Sequence, residues 1–476
     1  MDNKQFVTQI ADINTNFAQW YTDVVLKTEL VDYGPVKGTM VIRPYGYALW
    51  ENIQREMDQR FKQVGVKNAY FPLLIPMSYF SKEAEHVEGF APEVAVVTHA
   101  GGAKLEEPLA IRPTSETIIG TMYSKWIHSY RDLPVLINQW CNVMRWEKTT
   151  RPFLRTSEFL WQEGHTVHAS EEEAMEETLK MLNLYREFSE EVLAIPVLTG
   201  RKTEKEKFAG AKATFGMEAM MLDGKSLQSG TSHYFGQGFS EAFNIKFLDK
   251  DGKQKYGYTT SWGTSTRLIG AVIMAHGDAR GLVLPPRVAP VQVVIVPVAA
   301  HKGGVIEKAK ELESSLNQKG VRVLLDERDM SPGWKFNEWE MKGVPLRVEI
   351  GPRDIENNQA MLARRDNLEK SAISLDGFDD TIIALLDTIQ KDMYLKSKAN
   401  RDSRIVNTDS LEGILEGVEN KNFVRAGWCG CRECEDKVKE TAQATARVMD
   451  DNAEVKGVCA ICGKPARHVV YFARAY

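Results

Sequence analysis

The first clear pattern along the chain is a helix followed by a short apolar strand, between Tyr45 and Pro76. Apolar residues recur there at intervals of three and four, which predicts an amphipathic helix with one buried face. The residues on that face are Leu49, Ile53, Met57, Phe61 and Val64. The run Ala69–Pro76 is apolar and ends in proline, which predicts a strand. Both elements could serve simply as hydrophobic core.

A second pattern, between Val143 and His165, follows the two-residue period of strands. Arg145 and Glu147 share one face of the first predicted strand, and Lys148–Pro152 supplies a polar turn. The same face of the second strand carries Phe159, Trp161, Glu163 and His165. Carboxylates, an arginine, a histidine and aromatics suit a pocket for a charged, planar ligand better than a core. An exposed hairpin with cross-strand ion pairs is the alternative.

Two further segments place polar residues at the start of a predicted helix. In Ser261–Ile273, small residues precede Arg267 and an apolar run, which predicts a strand or turn leading into a buried helix with a cation in its first turn. Ile111–Thr117 also opens an apolar helix, and Thr114 could be no more than its N-cap. The acidic run Glu171–Glu173 predicts the first turn of a third helix, which reaches about Val192.

Beyond Pro290 the pattern changes to strands that alternate with helices. The predicted strands are Val291–Val298, Val321–Leu325 and Leu346–Ile350, and the predicted helices are Val305–Leu316 and Trp334–Met341. This alternation predicts βαβ units and a parallel-leaning sheet. Its cations could bind RNA or could form a solvated face; they are Lys335, Lys342, Arg347, Arg353, Arg364 and Arg365.

Composition and charge exclude some classes of protein. The 476 residues are 43% hydrophobic and 26% charged, which indicates a globular, multidomain protein. The net charge of −5 excludes a generally basic coat for nucleic acid, so any RNA contact needs local basic patches. The run Val293–Ala300 is far too short to span a bilayer, and the first five residues carry no apolar signal core. We expect a cytoplasmic protein without a membrane partner.

Five of the six cysteines lie near the end of the sequence, in two close groups. Cys459 and Cys462 form one group, and Cys434 belongs to the other with either Cys431 or Cys429. Two groups separated by about two dozen residues have the spacing of zinc ligands, and disulfides are uncommon in a reducing compartment. Four thiolates leave no open coordination position, so such a zinc ion would be structural.

Taken together, the helix–strand unit, the hairpin and the helix start resemble the three signature motifs of class II aminoacyl-tRNA synthetases. The matches are Tyr45–Pro76 to motif 1, Arg145-x-Glu147 with Phe159-x-x-x-Glu163 to motif 2, and Gly263–Arg267 to motif 3. In this family motif 1 forms the interface of a homodimer. The resemblance implies an antiparallel-sheet catalytic domain that binds ATP with Mg²⁺.

The resemblance also assigns roles to individual residues. It implies that Arg145 holds the α-phosphate and the amino-acid carboxylate, and that Glu147 reads the adenine amino group. Phe159 would stack on the adenine ring, and Arg267 would hold the γ-phosphate. Arg145 and Arg267 are thus the implied catalytic residues, and the further ATP-binding positions are Gln228, Thr231 and Ser265.

The segment around Thr114 and Glu116 resembles the Thr-Ser-Glu loop of prolyl-tRNA synthetases of the archaeal and eukaryotic-like type, and the resemblance covers essentially the whole chain. Proline's secondary ammonium has two donors, which one carboxylate and one hydroxyl can satisfy. The implied proline-binding residues are Thr114, Glu116, Arg145, Glu163, His165 and His233. The implied reaction forms prolyl-adenylate from ATP and L-proline and transfers the prolyl group to tRNA(Pro).

The same resemblance predicts an α/β and α+β multidomain protein with three parts. These are a class II catalytic domain (1–285), an α/β anticodon-binding domain (290–400) and a small zinc-binding α/β domain (405–476). The family's pattern selects as zinc ligands Cys429, Cys434, Cys459 and Cys462. The interval 166–261 is too short for the editing domain of bacterial-type prolyl enzymes, so we expect no editing in cis.

Two other functions fit parts of these patterns. A different class II synthetase is the nearest alternative, and the Thr114–Glu116 loop argues against it. A non-catalytic tRNA-binding paralogue would keep the fold, but such proteins typically lose the phosphate-binding arginines. Here Arg145, Glu147 and Arg267 are all present.

Overall fold

The computed structural model describes residues 10–84 and 94–476, with side chains left out at 81–84. The N-terminal segment in which no signal core was expected falls within residues 1–9, outside this range. Among the described residues, no helix combines the length and the apolar character needed to cross a bilayer.

The region before residue 285 contains a mixed set of helices and strands. Its helices are α1 (Phe17–Lys27), α2 (Pro44–Gln63), α3 (Met77–Ala84), α4 (Glu116–Trp126), α5 (Glu171–Glu191), α6 (Gly238–Phe243) and α7 (Arg267–His276). Its first strands are β1 (Val31–Tyr33), β2 (Met40–Ile42), β3 (Lys67–Asn68), β4 (Leu74–Pro76), β5 (Val96–Ala100), β6 (Ala103–Ile111) and β7 (Val135–Met144). The others are β8 (Glu158–His168), β9 (Val197–Arg201), β10 (Ala213–Met220), β11 (Ser226–Gly236), β12 (Lys246–Leu248), β13 (Gln254–Tyr256) and β14 (Tyr258–Ser265).

A seven-stranded sheet of order β3-β7-β8-β14-β11-β10-β9 forms the centre of this region. All neighbours are antiparallel except β3 and β7. The predicted hairpin is confirmed as β7 and β8, and the predicted strand-to-helix unit is confirmed as β14 and α7. In the register of β8 and β14, Glu163 faces Gly263 and His165 faces Ser261, so the second and third sequence patterns lie side by side.

Two strand predictions are wrong in extent. The first hairpin strand ends at Met144, so Arg145 and Glu147 lie in the connection and not on a strand face. Of the run Ala69–Pro76, only Leu74–Pro76 pairs as a strand, and it pairs with β6. Apolar composition does not distinguish a paired strand from an extended segment that is only partly buried, and Tyr70 there is 72% exposed.

The helical face predicted from the first pattern is confirmed in α2. Leu49, Ile53, Met57 and Phe61 are all buried in one large core between the sheet and the helices on its outer face. Helices α5 and α7 complete that core, the former beginning at the predicted acidic turn. The opposite face of the sheet carries polar side chains such as Glu163 and His165 and, further along β8, Val167, which belongs to a second apolar core.

The second region has its own sheet and core. Its strands are β15 (Val293–Pro297), β16 (Val323–Leu325), β17 (Leu346–Ile350), β18 (Gln359–Arg364) and β19 (Lys370–Ser374). Its helices are α8 (Val305–Gln318), α9 (Pro332–Met341), α10 (Pro352–Glu356) and α11 (Phe378–Ser403). The order is β16-β15-β17-β18-β19, in which β15 is parallel to both neighbours. The predicted parallel-leaning sheet is therefore confirmed, with antiparallel strands added at one edge.

The third region is a four-stranded sheet with two helices. Its elements are β20 (Ile405–Thr408), α12 (Leu411–Glu419), β21 (Phe423–Trp428), α13 (Arg432–Ala442), β22 (Thr445–Met449) and β23 (His468–Ala473). The strand order is β20-β21-β23-β22, and a separate core lies between this sheet and the cysteine-rich end. At its edge, β22 packs on β9 and β10 of the central sheet.

The contact between β8 and β14 allows a direct test of the packing. A Cβ on Gly164 would overlap the ring of Trp262, its buried partner on β14. Overpacking of this kind costs about 1–3 kcal/mol, so Gly164→Ala should lower the free energy of unfolding by about that amount. Gly238→Ala is the matched control, because a Cβ at that position would meet no atom within 4 Å. Equal stability of both variants in chemical denaturation would contradict the packing described here.

Candidate active site

One cavity of about 270 Å³ opens on the polar face of the central sheet. Eleven of the twelve residues predicted to bind ATP or proline line it. They are Thr114, Glu116, Arg145, Phe159, Glu163, His165, Gln228, Thr231, His233, Ser265 and Arg267.

Two arginines lie in the cavity, Arg267 at one end and Arg145 beside it, and both are held by backbone carbonyls. Arg145 donates from Nε to the Pro113 carbonyl at 3.0 Å. Arg267 donates from Nε to Leu154 and from Nη1 to Gln228, at 3.1 and 3.2 Å. Carbonyls orient a guanidinium without cancelling its charge, and neither arginine forms an ion pair within the described part of the chain. The end of the cavity that they form therefore remains cationic.

Aromatic rings complete the cationic end. The Arg145 guanidinium lies 5.5 Å from the ring centre of Phe159 and 5.3 Å from that of Trp161. Burial lowers the pKa of Arg145, which the carboxylates of Glu116 and Glu163 partly offset. Burial and the charges of the neighbouring arginines also lower the pKa of Arg267. Clustered, desolvated cations next to aromatic faces favour a bound polyanion with a planar base.

Glu147 is the predicted site residue that does not line the cavity. Its carboxylate pairs with Arg155 at 3.0 Å, on the connection between β7 and β8. The strand geometry used to place it beside Arg145 does not hold past Met144. A role for Glu147 in reading adenine stays a prediction.

The loop before α4 forms the end of the cavity opposite Arg267, and it adjoins Arg145, which is bound to its Pro113 carbonyl. Thr114 donates a hydrogen bond to Glu116, and Ser115, not Thr114, occupies the N-cap position of α4 without a side-chain capping bond. Behind the loop, Arg112 is 1% exposed. It donates to the carbonyls of Phe71 and Asn142, at 2.7 and 2.8 Å. Sequence reasoning did not single out Arg112, because nothing in its local pattern shows that it is buried.

Glu163 connects this loop to the sheet. Its Oε1 accepts from the Ser115 hydroxyl at 2.5 Å and from Gln139 at 3.0 Å, while Oε2 accepts from the Ser115 backbone at 3.1 Å. His165 Nε2 lies 3.0 Å from Oε2. Burial opposes ionisation of both groups, but the hydrogen bond and charges of the pair outweigh it, lowering the pKa of Glu163 and raising that of His165. Both carboxylate oxygens already have partners within the protein.

A segment missed by sequence reasoning forms a wall of the cavity. Glu206 and Phe208 lie between β9 and β10, where no regular period marks them, and Thr214 is the second residue of β10. The Phe208 ring centre is 4.9 Å from that of His233, and Thr214 Oγ1 is 3.0 Å from His233 Nδ1. Burial, together with the charge of His165, lowers the pKa of His233 to about 3, so this imidazole is neutral near pH 7.

Four cysteines converge in the third region. The sulfurs of Cys429, Cys434, Cys459 and Cys462 lie within 4.8 Å of one another. The sulfur–sulfur distances are 3.6 Å for Cys429–Cys434, 3.9 Å for Cys434–Cys459 and 3.7 Å for Cys429–Cys462. Four sulfurs at about 2.3 Å from a central zinc ion would lie about 3.8 Å apart, so the donor set fits tetrahedral zinc. Cys431 is not part of this cluster and instead forms the N-cap of α13.

Most of the cations predicted to face RNA are bound within the protein. Lys335, Arg347 and Arg365 are buried, and Arg365 pairs with Asp278 at 2.6 Å. The other internal pairs are Lys335–Asp326, Lys342–Glu29, Arg347–Glu349 and Arg364–Asp366. The partners of Lys342 and Arg365 lie far away along the chain, so sequence spacing does not reveal them. Within the described ranges, Arg353 is the one member of this set that is exposed and outside any ion pair.

Comparison with known families agrees with this architecture. Residues 100–276 match the tRNA synthetase class II core domain (G, H, P, S and T), and residues 292–385 match an anticodon binding domain. Residues 411–476 match the prolyl-tRNA synthetase C-terminal family. The cavity, its arginines and these matches define a class II aminoacyl-tRNA synthetase.

Similar proteins cover the whole chain. A proline--tRNA ligase of Alkaliphilus oremlandii is 62% identical over 99% of this chain and 99% of its own length. A proline--tRNA ligase of Acetoanaerobium sticklandii is 59% identical, and proline--tRNA ligase 2 of Clostridioides difficile is 58% identical, each over 100% of this chain and 99% of its own. The chain belongs to the proline--tRNA ligase family.

The cysteine geometry makes a prediction about metal content. Cys459→Ser should lower the zinc content of the purified protein from about one ion per chain, because it removes one of four converging ligands. Cys431→Ser should retain zinc, since its sulfur lies outside the cluster, and it is the matched control. Zinc content can be measured by plasma mass spectrometry. Loss of zinc from Cys431→Ser with full retention in Cys429→Ser would reverse the choice of ligand.

Proposed function

We propose that this chain activates L-proline with ATP and transfers the prolyl group to the 3′ end of tRNA(Pro). In the first step a carboxylate oxygen of proline attacks the α-phosphorus, the bond to the β-phosphate breaks, and pyrophosphate leaves. In the second step a hydroxyl of the terminal ribose attacks the prolyl carbonyl, and AMP leaves. The convergence of eleven predicted residues on one cavity is the observation that supports this proposal most strongly.

In this proposal the cationic end binds the triphosphate. Arg145 contacts the α-phosphate and the amino-acid carboxylate, and Arg267 contacts the γ-phosphate. Phe159 stacks on adenine, Glu147 binds its amino group, and Mg²⁺ arrives with ATP as its counter-ion. Further contacts to ATP come from Gln228, Thr231 and Ser265. No side chain has to act as nucleophile or general base, because positioning and charge stabilisation lower the barrier.

The opposite end binds proline. Glu116 and Thr114 accept hydrogen bonds from the two N–H groups of the secondary ammonium. Neutral His233 forms part of the wall of the pocket. Both oxygens of Glu163 have protein partners, so we assign Glu163 and His165 the task of holding the loop and the sheet in place beside the amino acid. This replaces the direct contact with proline that the resemblance implied for these two residues.

The remaining parts of the proposal concern the whole protein. The catalytic domain spans residues 1–285, the anticodon-binding domain 290–400 and the zinc-binding domain 405–476. Three cores, each formed mainly by one region, support this division; Met341 joins the first core, and Ala194 and Val283 join the second. The zinc ion is structural, held by Cys429, Cys434, Cys459 and Cys462. The chain acts as a cytoplasmic homodimer without cis editing; the interval 166–261 is occupied by α5, α6 and strands of the catalytic region.

The activation step is tested at Arg145. Removing one preorganised donor from a site of developing charge typically costs about 10²–10³ in rate. Arg145→Ala should therefore lower proline-dependent pyrophosphate exchange into ATP by about that factor while the fold is retained. Arg131→Ala, which removes an exposed arginine of the same region, is the matched control and should leave exchange unchanged. Near-normal exchange by a well-folded Arg145→Ala variant would contradict the proposed function.

A further inference from the structure

A buried cluster of charges joins the C-terminal region to the central sheet, beneath the cationic end of the cavity. Glu218 of β10 is 0% exposed, and Lys202 and Arg447 beside it are 3% and 8% exposed. Lys202 Nζ lies 2.5 Å from Glu218 Oε1. Arg447 Nη2 lies 3.1 Å from each carboxylate oxygen, and the Ser226 hydroxyl donates to Oε2 at 2.5 Å. The proposed reaction assigns none of these groups a role.

The cluster is an unusual way to join two regions. Desolvating charges costs several kcal/mol per ion, and burying an apolar contact would avoid that cost. Here two cations share one carboxylate, which leaves the cluster with an excess positive charge. The cations lower the pKa of Glu218 despite its burial, so its carboxylate stays ionised. An arrangement this costly calls for a role beyond joining the two regions.

Two irregularities in strand pairing bring the cluster together. On β22 the register with β23 shifts between Ala446 and Val448, so Arg447 has no partner in the ladder and is free to point at β10. On β11 the register with β10 shifts so that Ser229 is the extra residue. Bulges re-aim side chains and recur beside active sites. Ser229, the extra residue of the second bulge, is one of the residues that line the cavity.

The β11 bulge links the cluster to the phosphate end of the cavity. Glu218 pairs across the sheet with Gln228, and Gln228 lines the cavity. The Gln228 carbonyl accepts the Nη1 hydrogen bond of Arg267, and Ser226, two residues earlier, is bound to Glu218. The negative charge of Glu218 also raises the pKa of Arg267, which partly offsets the lowering caused by burial.

We propose that Arg447, a residue of the C-terminal region outside the cavity, is a positioning residue for ATP. By binding both oxygens of Glu218, Arg447 fixes the β10–β11 pairing at Gln228, and the Gln228 carbonyl in turn holds the guanidinium of Arg267. This inference rests on the proposed function, because it takes Arg267 to be the γ-phosphate ligand.

The inference is tested by exchange kinetics of the full-length protein. Arg447→Met, which keeps the length of the side chain but not its charge or donors, should raise the KM for ATP about tenfold and change the KM for proline less than twofold. Arg447→Lys keeps the charge but not the two-oxygen contact, and should raise the KM for ATP two- to fivefold. The matched control is Arg425→Met, which removes an arginine paired with Asp450 inside the same region; both KM values should stay unchanged.

The outcomes separate the two proposals. An unmodified protein that shows no proline-dependent exchange refutes the proposed function itself. With active unmodified protein, an unchanged KM for ATP in a folded Arg447→Met variant of normal zinc content overturns the inference. An equal rise in both KM values also overturns it, because that result indicates general loosening of the domain contact. If Arg447→Met does not fold, the KM for ATP of Arg447→Lys is the deciding measurement. An unchanged KM for ATP in Arg447→Lys overturns the inference.

Discussion

The burial of the Glu163 carboxylate is the constraint on which the amino-acid end of the cavity depends. Glu163 is 3% exposed and has no lysine or arginine partner among the described residues. A buried carboxylate is tolerated only when protein donors replace water, and removing one donor costs about 1–3 kcal/mol or more. The donors come from the loop before α4, from β7 and from β8 itself. Closing the sheet over Glu163 therefore fixes the loop that carries Thr114 and Glu116.

The cavity separates charge along its length. Glu116 lies at one end, Arg267 lies at the other, and Arg145 lies between them. The carboxylates of Glu116 and Glu163 raise the pKa of Arg145, and the charge of Arg145 lowers the pKa of Arg267. This order matches a ligand pair with an ammonium at one end and a triphosphate at the other. The bond that the proposed reaction forms, between carboxylate and α-phosphorus, would lie near Arg145.

The sequence could predict the elements whose side-chain period is strong, and those predictions are confirmed. The buried face of α2, the β7–β8 hairpin, the β14–α7 unit and the alternating strands and helices after Pro290 all follow from local patterns. The convergence of Thr114, Arg145 and Arg267 could be anticipated only through the family resemblance, because they lie on elements that are far apart along the chain. The four-cysteine cluster followed from spacing together with that resemblance.

The remaining features depend on contacts between distant residues. Arg112, Lys202 and Arg447 are buried arginines and lysines, and nothing in the local sequence distinguishes them from exposed ones. For the same reason Arg347 and Arg365 resembled RNA-facing cations, although both are buried against acidic partners. Strand ends such as Met144 depend on where pairing stops, which a run of residues does not record.

The central claim is that this cavity activates proline, and amino-acid-dependent exchange of pyrophosphate into ATP tests it most directly. Each of the twenty amino acids would be supplied in turn, together with N-methyl-L-proline, whose ammonium has only one N–H donor. The account predicts strong exchange with L-proline, far weaker exchange with the others, and a large loss with the N-methyl analogue because one acceptor of the Thr114–Glu116 pair is left unpaired. Faster exchange with any other amino acid, or none with L-proline, would contradict it.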